Sequence, residues 1–517
     1  MSSKSITENP DDRTNIRPLG PAAREAAPSV LREDEPTFAR TVGTVGAGVL
    51  VFGAMAVGFH IATGTARISI GWSIFCIALG LAALLFHAAF DRDVGYRRLY
   101  MIFGFATLGL GVFLCLIPYP NAVGDLFRYG VPCLLIALLF LLAFLRNEDD
   151  DFVRDLAQKL LLFAGAGMAV LGLFAGNVSG DFFLPQGLVY SVVGLLFLVA
   201  FVGSRDLHSD LAYNTALAVA GAGVLIILIA LGRSLAGAAG ASYFVSYGVI
   251  FVFVGLLYVA TGAGLALDRP VFILTRRELG AYFFSPVAYL TLLGFAVFSW
   301  FSFMGFLDML VEADPRNPPI EPIVRNYLFA LFPVFTVIFV VPILTMRLLS
   351  EEQRTGTMEV LLTAPVDETV VVLSKFLAAL ITYLVVWLPF GLFLLAIPLA
   401  GGNPFDYRPL LSFFVALVAT GAAFVSMGLF FSSLTRNQIA SGVLTFAGML
   451  ALTYVYFAAH QSRSPAWETV LTHLSYLDLW YNTLEGKIVP RFMLFPLSMT
   501  VLFLFLTVKV LESRKWR

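Results

Sequence analysis

The sequence predicts an all-α polytopic membrane protein with about fourteen transmembrane helices. Two observations carry this. Only 13% of the 517 residues are charged, against about 25% in an ordinary soluble domain. Hydrophobic residues reach 59%, with 49 Phe and 44 Gly, a composition suited to helices that pack closely in lipid. A soluble enzyme, a disordered chain and a disulfide scaffold are all excluded. Cys76, Cys115 and Cys133 lie inside apolar runs and form no metal or disulfide pattern.

Residues 1–40 are polar and Pro-rich, read as a disordered cytosolic tail without a signal-peptide core. A spanning helix needs ~20 apolar residues. The expected spans are 41–62, 68–90, 99–118, 129–145, 159–176, 184–203, 211–232, 241–267, 287–309, 328–349, 377–397, 410–434, 438–458 and 493–511. With the N-terminus inside, 24 of the 33 Lys and Arg fall on the cytosolic side and 9 on the other. That asymmetry favours an even number of spans with both termini cytosolic. The chain divides near Leu267–Arg269, which gives an eight-helix membrane domain over 41–268 and a second membrane domain over 269–517.

The first eight helices read as four tandem hairpins with a period near 58 residues. Gly-x-Gly recurs at Gly46/Gly48, Gly109/Gly111, Gly165/Gly167 and Gly221/Gly223, and Gly71, Gly130, Gly187 and Gly248 open the second helix of each pair. Close helix contact is the expected use of these glycines. His60 and His87 fall near helix ends, where an interfacial role is expected. No ionisable group lies deep in these spans, which argues against a proton relay.

In the second domain two cytosolic stretches carry the signal. Residues 269–286 alternate basic, aromatic and aliphatic residues, as an interfacial helix does, with Arg276 and Arg277 toward headgroups or a partner. Residues 350–376 place Gly356 at a bend and Thr357 at the cap of a short following helix. Glu359 falls in its first turn, Leu362 on its apolar face and Pro365 at its end, and Asp367 caps the next helix. A short helix held along the membrane in this way is shaped to pass a push from a soluble motor to the spans.

These stretches resemble a known family. Glu351 to Pro365 is similar to the EE-x-x-x-GT-x-E-x-LLT-x-P stretch of ABC-2 type transporter permeases. Residues 276–289 are similar to the KEL-x-x-YF-x-SP start of the gliding-motility-type branch. Gly402-Asn403-Pro404, Ser432 to Gln438 and residues 502–516 follow in matching order. The resemblance covers 270–517 and implies a six-helix permease half. Its elbow helix would contain Arg276, Arg277 and Glu278. Its coupling segment would contain Glu352, Gly356, Thr357, Glu359, Leu362 and Pro365. It further implies a separate cytosolic ABC ATPase subunit holding ATP, a second permease copy or a paralogue, and a multi-pass place in the cell (inner) membrane, with export as the expected direction. The loop around Tyr476, Leu477, Trp480 and Tyr481 is similar to the family's outer gate region.

The chain itself has no GxxxxGK[ST], HExxH or GxSxG motif, so no cofactor, metal, catalytic or nucleic-acid site is expected in it. The alternatives are a membrane scaffold that relays ATP-driven movement to a partner and a secondary transporter or channel. The latter needs mid-helix polar groups that this sequence lacks.

Overall fold

The computed structural model describes residues 35–63, 70–91, 93–116, 123–148, 150–175, 187–205, 209–236, 248–283, 286–311, 323–357, 367–399 and 408–515. Residues 1–34 of the expected tail, Glu359, Leu362, Pro365 and Gly402 to Pro404 lie outside them, while residues 35–40, expected to be disordered, open the first helix. The chain is all-α and polytopic. In order the helices are α1 (Glu35–Thr63), α2 (Ile70–Phe90), α3 (Val94–Leu116), α4 (Val123–Asn147), α5 (Asp151–Val170, extended by a π turn at Leu171–Ala175), α6 (Leu188–Ser204), α7 (Asp210–Ala236) and α8 (Gly248–Ala266). Then come α9 (Pro270–Phe283), α10 (Pro286–Val311), α11 (Val324–Leu328), α12 (Leu331–Thr345), α13 (Ser350–Thr355), α14 (Glu368–Val386), α15 (Leu388–Leu399) and α16 (Arg408–Leu434). Last are α17 (Gln438–Gln461), α18 (Pro465–Leu474), α19 (Tyr476–Leu484) and α20 (Pro490–Lys515).

Among the described residues, 11 helices are long and apolar enough to cross a membrane, and α8 with the sharply bent α9 makes a twelfth. Two shorter apolar helices, Gly130–Arg146 and Leu188–Ser204, fall where the fourth and sixth expected spans were placed. The helix that runs into the span expected at 377 starts at Glu368, directly after Asp367.

Contacts divide the chain into two compact units, Met1–Gly111 with Cys133–Ala157, and Val112–Pro132 with Gln158–Arg517. In the first unit, α1 packs along α2. A Cβ on Gly46 would lie 2.4 Å from Ala83 Cβ, and one on Gly80 would lie 2.6 Å from the Leu50 amide. Hydrocarbon exerts no hydrophobic drive between helices, so this close approach, open only to glycine, is what joins them. His87 is not interfacial. It is buried, with Nδ1 2.6 Å from the Tyr100 hydroxyl and Nε2 3.0 Å from Asp91 Oδ2. Arg40 Nε donates to the same Asp91 oxygen at 2.9 Å. Burial works to raise the Asp91 pKa, but Arg40, the Asp93 amide and His87 outweigh it and hold it below the ordinary carboxylate value.

In the second unit the same glycine logic recurs. Gly165 meets Phe197, Leu198 and the Gly194 carbonyl, while Gly223 meets the Gly255 carbonyl and the Val259 amide. Only one glycine of each Gly-x-Gly is used this way; Gly48, Gly109, Gly167 and Gly221 face open space. The contacting members of the four pairs are Gly46, Gly111, Gly165 and Gly223, and Gly111 packs on Leu134 within the first unit.

The main core of the second unit gathers Val337, Val340 and Val341 of α12, Val372, Ala379 and Tyr383 of α14, Ala416, Ala423 and Leu429 of α16, and Trp480 of α19. Helix α16 is its axis. A Cβ on Gly428 would sit 2.2 Å from Thr345 Oγ1, and one on Gly421 2.4 Å from the Tyr383 ring. Trp480 is fully buried, donates to Thr420 Oγ1 at 3.2 Å, and meets Trp387 edge-on at 5.5 Å. The stretch from Tyr476 to Tyr481 is thus a helix whose Tyr476, Leu477 and Trp480 are buried, not a solvated loop.

Candidate coupling site

The interfacial stretch folds as α9, which leaves α8 through a 99° bend. Its residues Thr275, Glu278 and Tyr282 share one face, three and four positions apart. Thr275 is buried and reaches the Ser374 carbonyl at 3.4 Å. Tyr282 donates to the Leu344 carbonyl at 2.7 Å. Glu278 Oε2 lies 3.0 Å from Lys375 Nζ. Arg277 is mostly exposed and pairs with Glu278 at 3.1 Å. Arg276 does not face headgroups. Its side chain is 17% exposed and donates to the Leu265 and Leu267 carbonyls at 2.8 and 2.7 Å.

The described part of the coupling stretch holds a helix that the sequence did not predict. Helix α13 precedes Gly356, as a continuation of α12 through a turn at 346–349. Gly356 ends it with φ +75°, a left-handed conformation that suits glycine at a helix C-terminus. Thr357 turns its hydroxyl back to Thr355 Oγ1 at 2.9 Å; the helix it was expected to cap lies outside the described residues. Asp367 occupies the N-cap position of α14 but its side chain makes no capping bond there.

Glu352 is the residue of α13 that reaches inward. Its Oε1 lies 2.7 Å from Lys375 Nζ. Lys375 is 3% exposed, and so joins the elbow α9, the helix α13 and the span α14 through two carboxylates. An ammonium shielded from water attracts its partners strongly, and removing one partner leaves an uncompensated buried charge. Burial pushes the Glu278 carboxyl up, yet Lys375 first and Arg277 second hold it below its ordinary value. The described residues offer the second Glu352 oxygen no hydrogen-bond partner.

Two contributions were invisible in the sequence. Lys375 read only as one more cytosolic cation. Ser432 read only as part of a family-like string, yet its hydroxyl accepts from the Leu349 and Ser350 amides, both at 3.1 Å. These are orphan donors at the start of α13, so Ser432 of α16 caps that helix from another element. Gln353 adds a bond to the Ser433 carbonyl at 3.0 Å. The signal that could have found Ser432 is a Ser-Ser pair ending a buried apolar helix.

Residues 313–509 match the family model described as ABC-2 family transporter protein. The match supports an ABC-2 type permease, a membrane subunit of transport and not a catalytic one, and the family implies an ATPase partner. No curated protein and no solved structure matches the chain. The matched segment contains Glu352, Gly356, Thr357, Lys375 and Ser432. The elbow with Arg276, Arg277 and Glu278 precedes it and is tied to this ABC-2 segment by Lys375.

Proposed function

We propose that the chain is the permease subunit of an ATP-driven ABC-2 type exporter. A separate cytosolic ATPase holds the ATP, and a second permease copy or a paralogue completes the path. Both termini are cytosolic in a cell (inner) membrane, with 41–268 as an added membrane domain and 269–517 as the permease half. The resemblance of residues 276–289 favours the gliding-motility-type branch. The scarcity of charge in the spans favours a lipid-like, polymeric or protein cargo over small ions.

The observation that carries this reading is the Glu278–Lys375–Glu352 cluster, two of whose members lie in the matched segment. A push on the stretch from Glu352 through Glu359 to Pro365 reaches α9 and α14 through one buried ammonium. Movement of α14 relative to α16 then opens or closes the core around Tyr383 and Trp387. The test is purification with the ATPase, followed by Glu359→Lys and Lys375→Met. Glu359→Lys is expected to lower ATPase association. Lys375→Met is expected to keep association and lose stimulated hydrolysis. Unchanged association and hydrolysis in both variants would overturn the coupling assignment.

A further inference from the structure

The role of the hairpins that precede the permease half is carried by a corner. Helix α8 ends at Ala266, and its last-turn carbonyls have no intrahelical donor. Arg276 of α9 supplies one, since Nη1 donates to Leu265 and Nη2 to Leu267, at 2.8 and 2.7 Å. Its Nε also reaches the Phe272 carbonyl at 3.3 Å, and Asp268 Oδ1 lies 3.8 Å away. A planar guanidinium that bridges carbonyls on both arms of a bend fixes the angle, and a cation at a helix C-terminus is favoured by the dipole. The opposite face of α9 is fastened to α14 and α12 by Thr275, Glu278 and Tyr282.

The other end of α8 also meets the permease half. Phe253 packs edge-on against Phe414 of α16 at 4.8 Å. Leu411 of α16 joins the cluster formed by Leu195, Leu198, Val219, Ile226 and Phe251. Helix α8 is therefore held at one end by α16 and at the other by the elbow.

We propose that Arg276 makes α8 and α9 one rigid crank, so that the membrane region built from α5 to α8 moves when the cytosolic cluster of the permease half moves. That region is a driven part of the machine and not a static anchor. The physical requirement is that α9 cannot shift relative to α14 without carrying the end of α8, while Phe253 and Phe414 provide the pivot.

The test uses the full chain in nanodiscs, diluted with unlabelled chain, with Cys76, Cys115 and Cys133 replaced by Ala. Spin labels at Leu256 of α8 and Val443 of α17, both exposed, report an intrachain distance by double electron–electron resonance. Lys375→Met frees α9 from α14 and is expected to shift the mean distance by about 2 Å, the scale of a helix displacement. In Arg276→Gln with Lys375→Met that shift is expected to be lost. An unchanged distance in Lys375→Met, or a shift that persists in full without Arg276, overturns the crank. If Lys375→Met fails to fold, Glu278→Gln releases the same contact with Glu352 left paired, and Arg276→Lys replaces Arg276→Gln in the same way. No ATPase is present in this test, so a negative result bears on the corner alone.

Discussion

Lys375 Nζ sits 2.7 Å from Glu352 Oε1 and 3.0 Å from Glu278 Oε2, and it is the least exposed of the three side chains. One ammonium thus joins residues 97 and 23 positions away in the chain. Its removal and its wholesale replacement have different consequences. Lys375→Met strands two carboxylates and is expected to cost about 3–5 kcal/mol. The triple change Glu278→Leu, Glu352→Leu and Lys375→Met is expected to recover most of that loss. Unfolding in detergent by a thiol-reactive dye reads both. Recovery of stability without recovery of ATPase stimulation separates the cluster's mechanical use from its packing.

The carboxylates outside the spans respond to pH with opposite signs. Glu278 and Asp91 have lowered folded pKa values. Their stabilising contribution is present above the ordinary carboxylate value and is lost as pH falls through the lower folded one. Asp478 is raised by burial, against smaller opposing effects of Ser475 and His460. Its contribution is present at low pH and is lost as pH rises through its raised folded value. Asp478→Asn is therefore expected to raise the melting temperature at pH 7 and to leave it unchanged at pH 3. Asp91→Asn is expected to lower it at pH 7. Melting curves across pH 3–8 decide both signs.

The two glycines of a Gly-x-Gly are expected to behave differently. A Cβ at Gly223 would lie 2.5 Å from the Gly255 carbonyl oxygen, whereas one at Gly221 meets nothing within 4 Å. Gly223→Ala should destabilise by about 1–3 kcal/mol through overpacking. Gly221→Ala should be neutral or stabilise by up to about 1 kcal/mol, because alanine is the better helix former. Equal effects at the two positions would remove the hairpin reading of the repeat.

Ser432 caps α13 from outside that helix. Ser432→Ala is expected to cost about 1 kcal/mol and to speed amide exchange at Leu349 and Ser350, whose N–H groups it serves. Ser432→Thr keeps the oxygen and is expected to retain protection. Exchange measured by mass spectrometry on peptides covering 346–357 checks it.

Much of the architecture was legible because hydrocarbon imposes a length and a polarity that a linear pattern records. Most of the spans and the elbow stretch follow from that. The site was less legible. Glu352, Gly356 and Glu278 were named from a family-like string, but their partner Lys375 counted only as one more cytosolic cation. His87 was misplaced, since a polar residue near a helix end reads as interfacial until Asp91, Arg40 and Tyr100 are seen to surround it. Arg276 was assigned to headgroups or a partner, although the Leu265 and Leu267 carbonyls at the end of the preceding helix claim it.

Composition and periodicity by themselves determined a helical membrane protein with two cytosolic stretches of interest and no catalytic apparatus in its motifs. They could do so because burial in lipid depends on each residue's own polarity and on spacing along the helix. Tertiary structure alone decided which polar groups meet. It set Lys375 between Glu278 and Glu352, Ser432 over the amides of α13, and Arg276 across the corner at Leu265 and Leu267. Hydrogen bonds and ion pairs act over a few ångströms, and only the packing of α9, α13, α14 and α16 brings residues so far apart in the chain within that range.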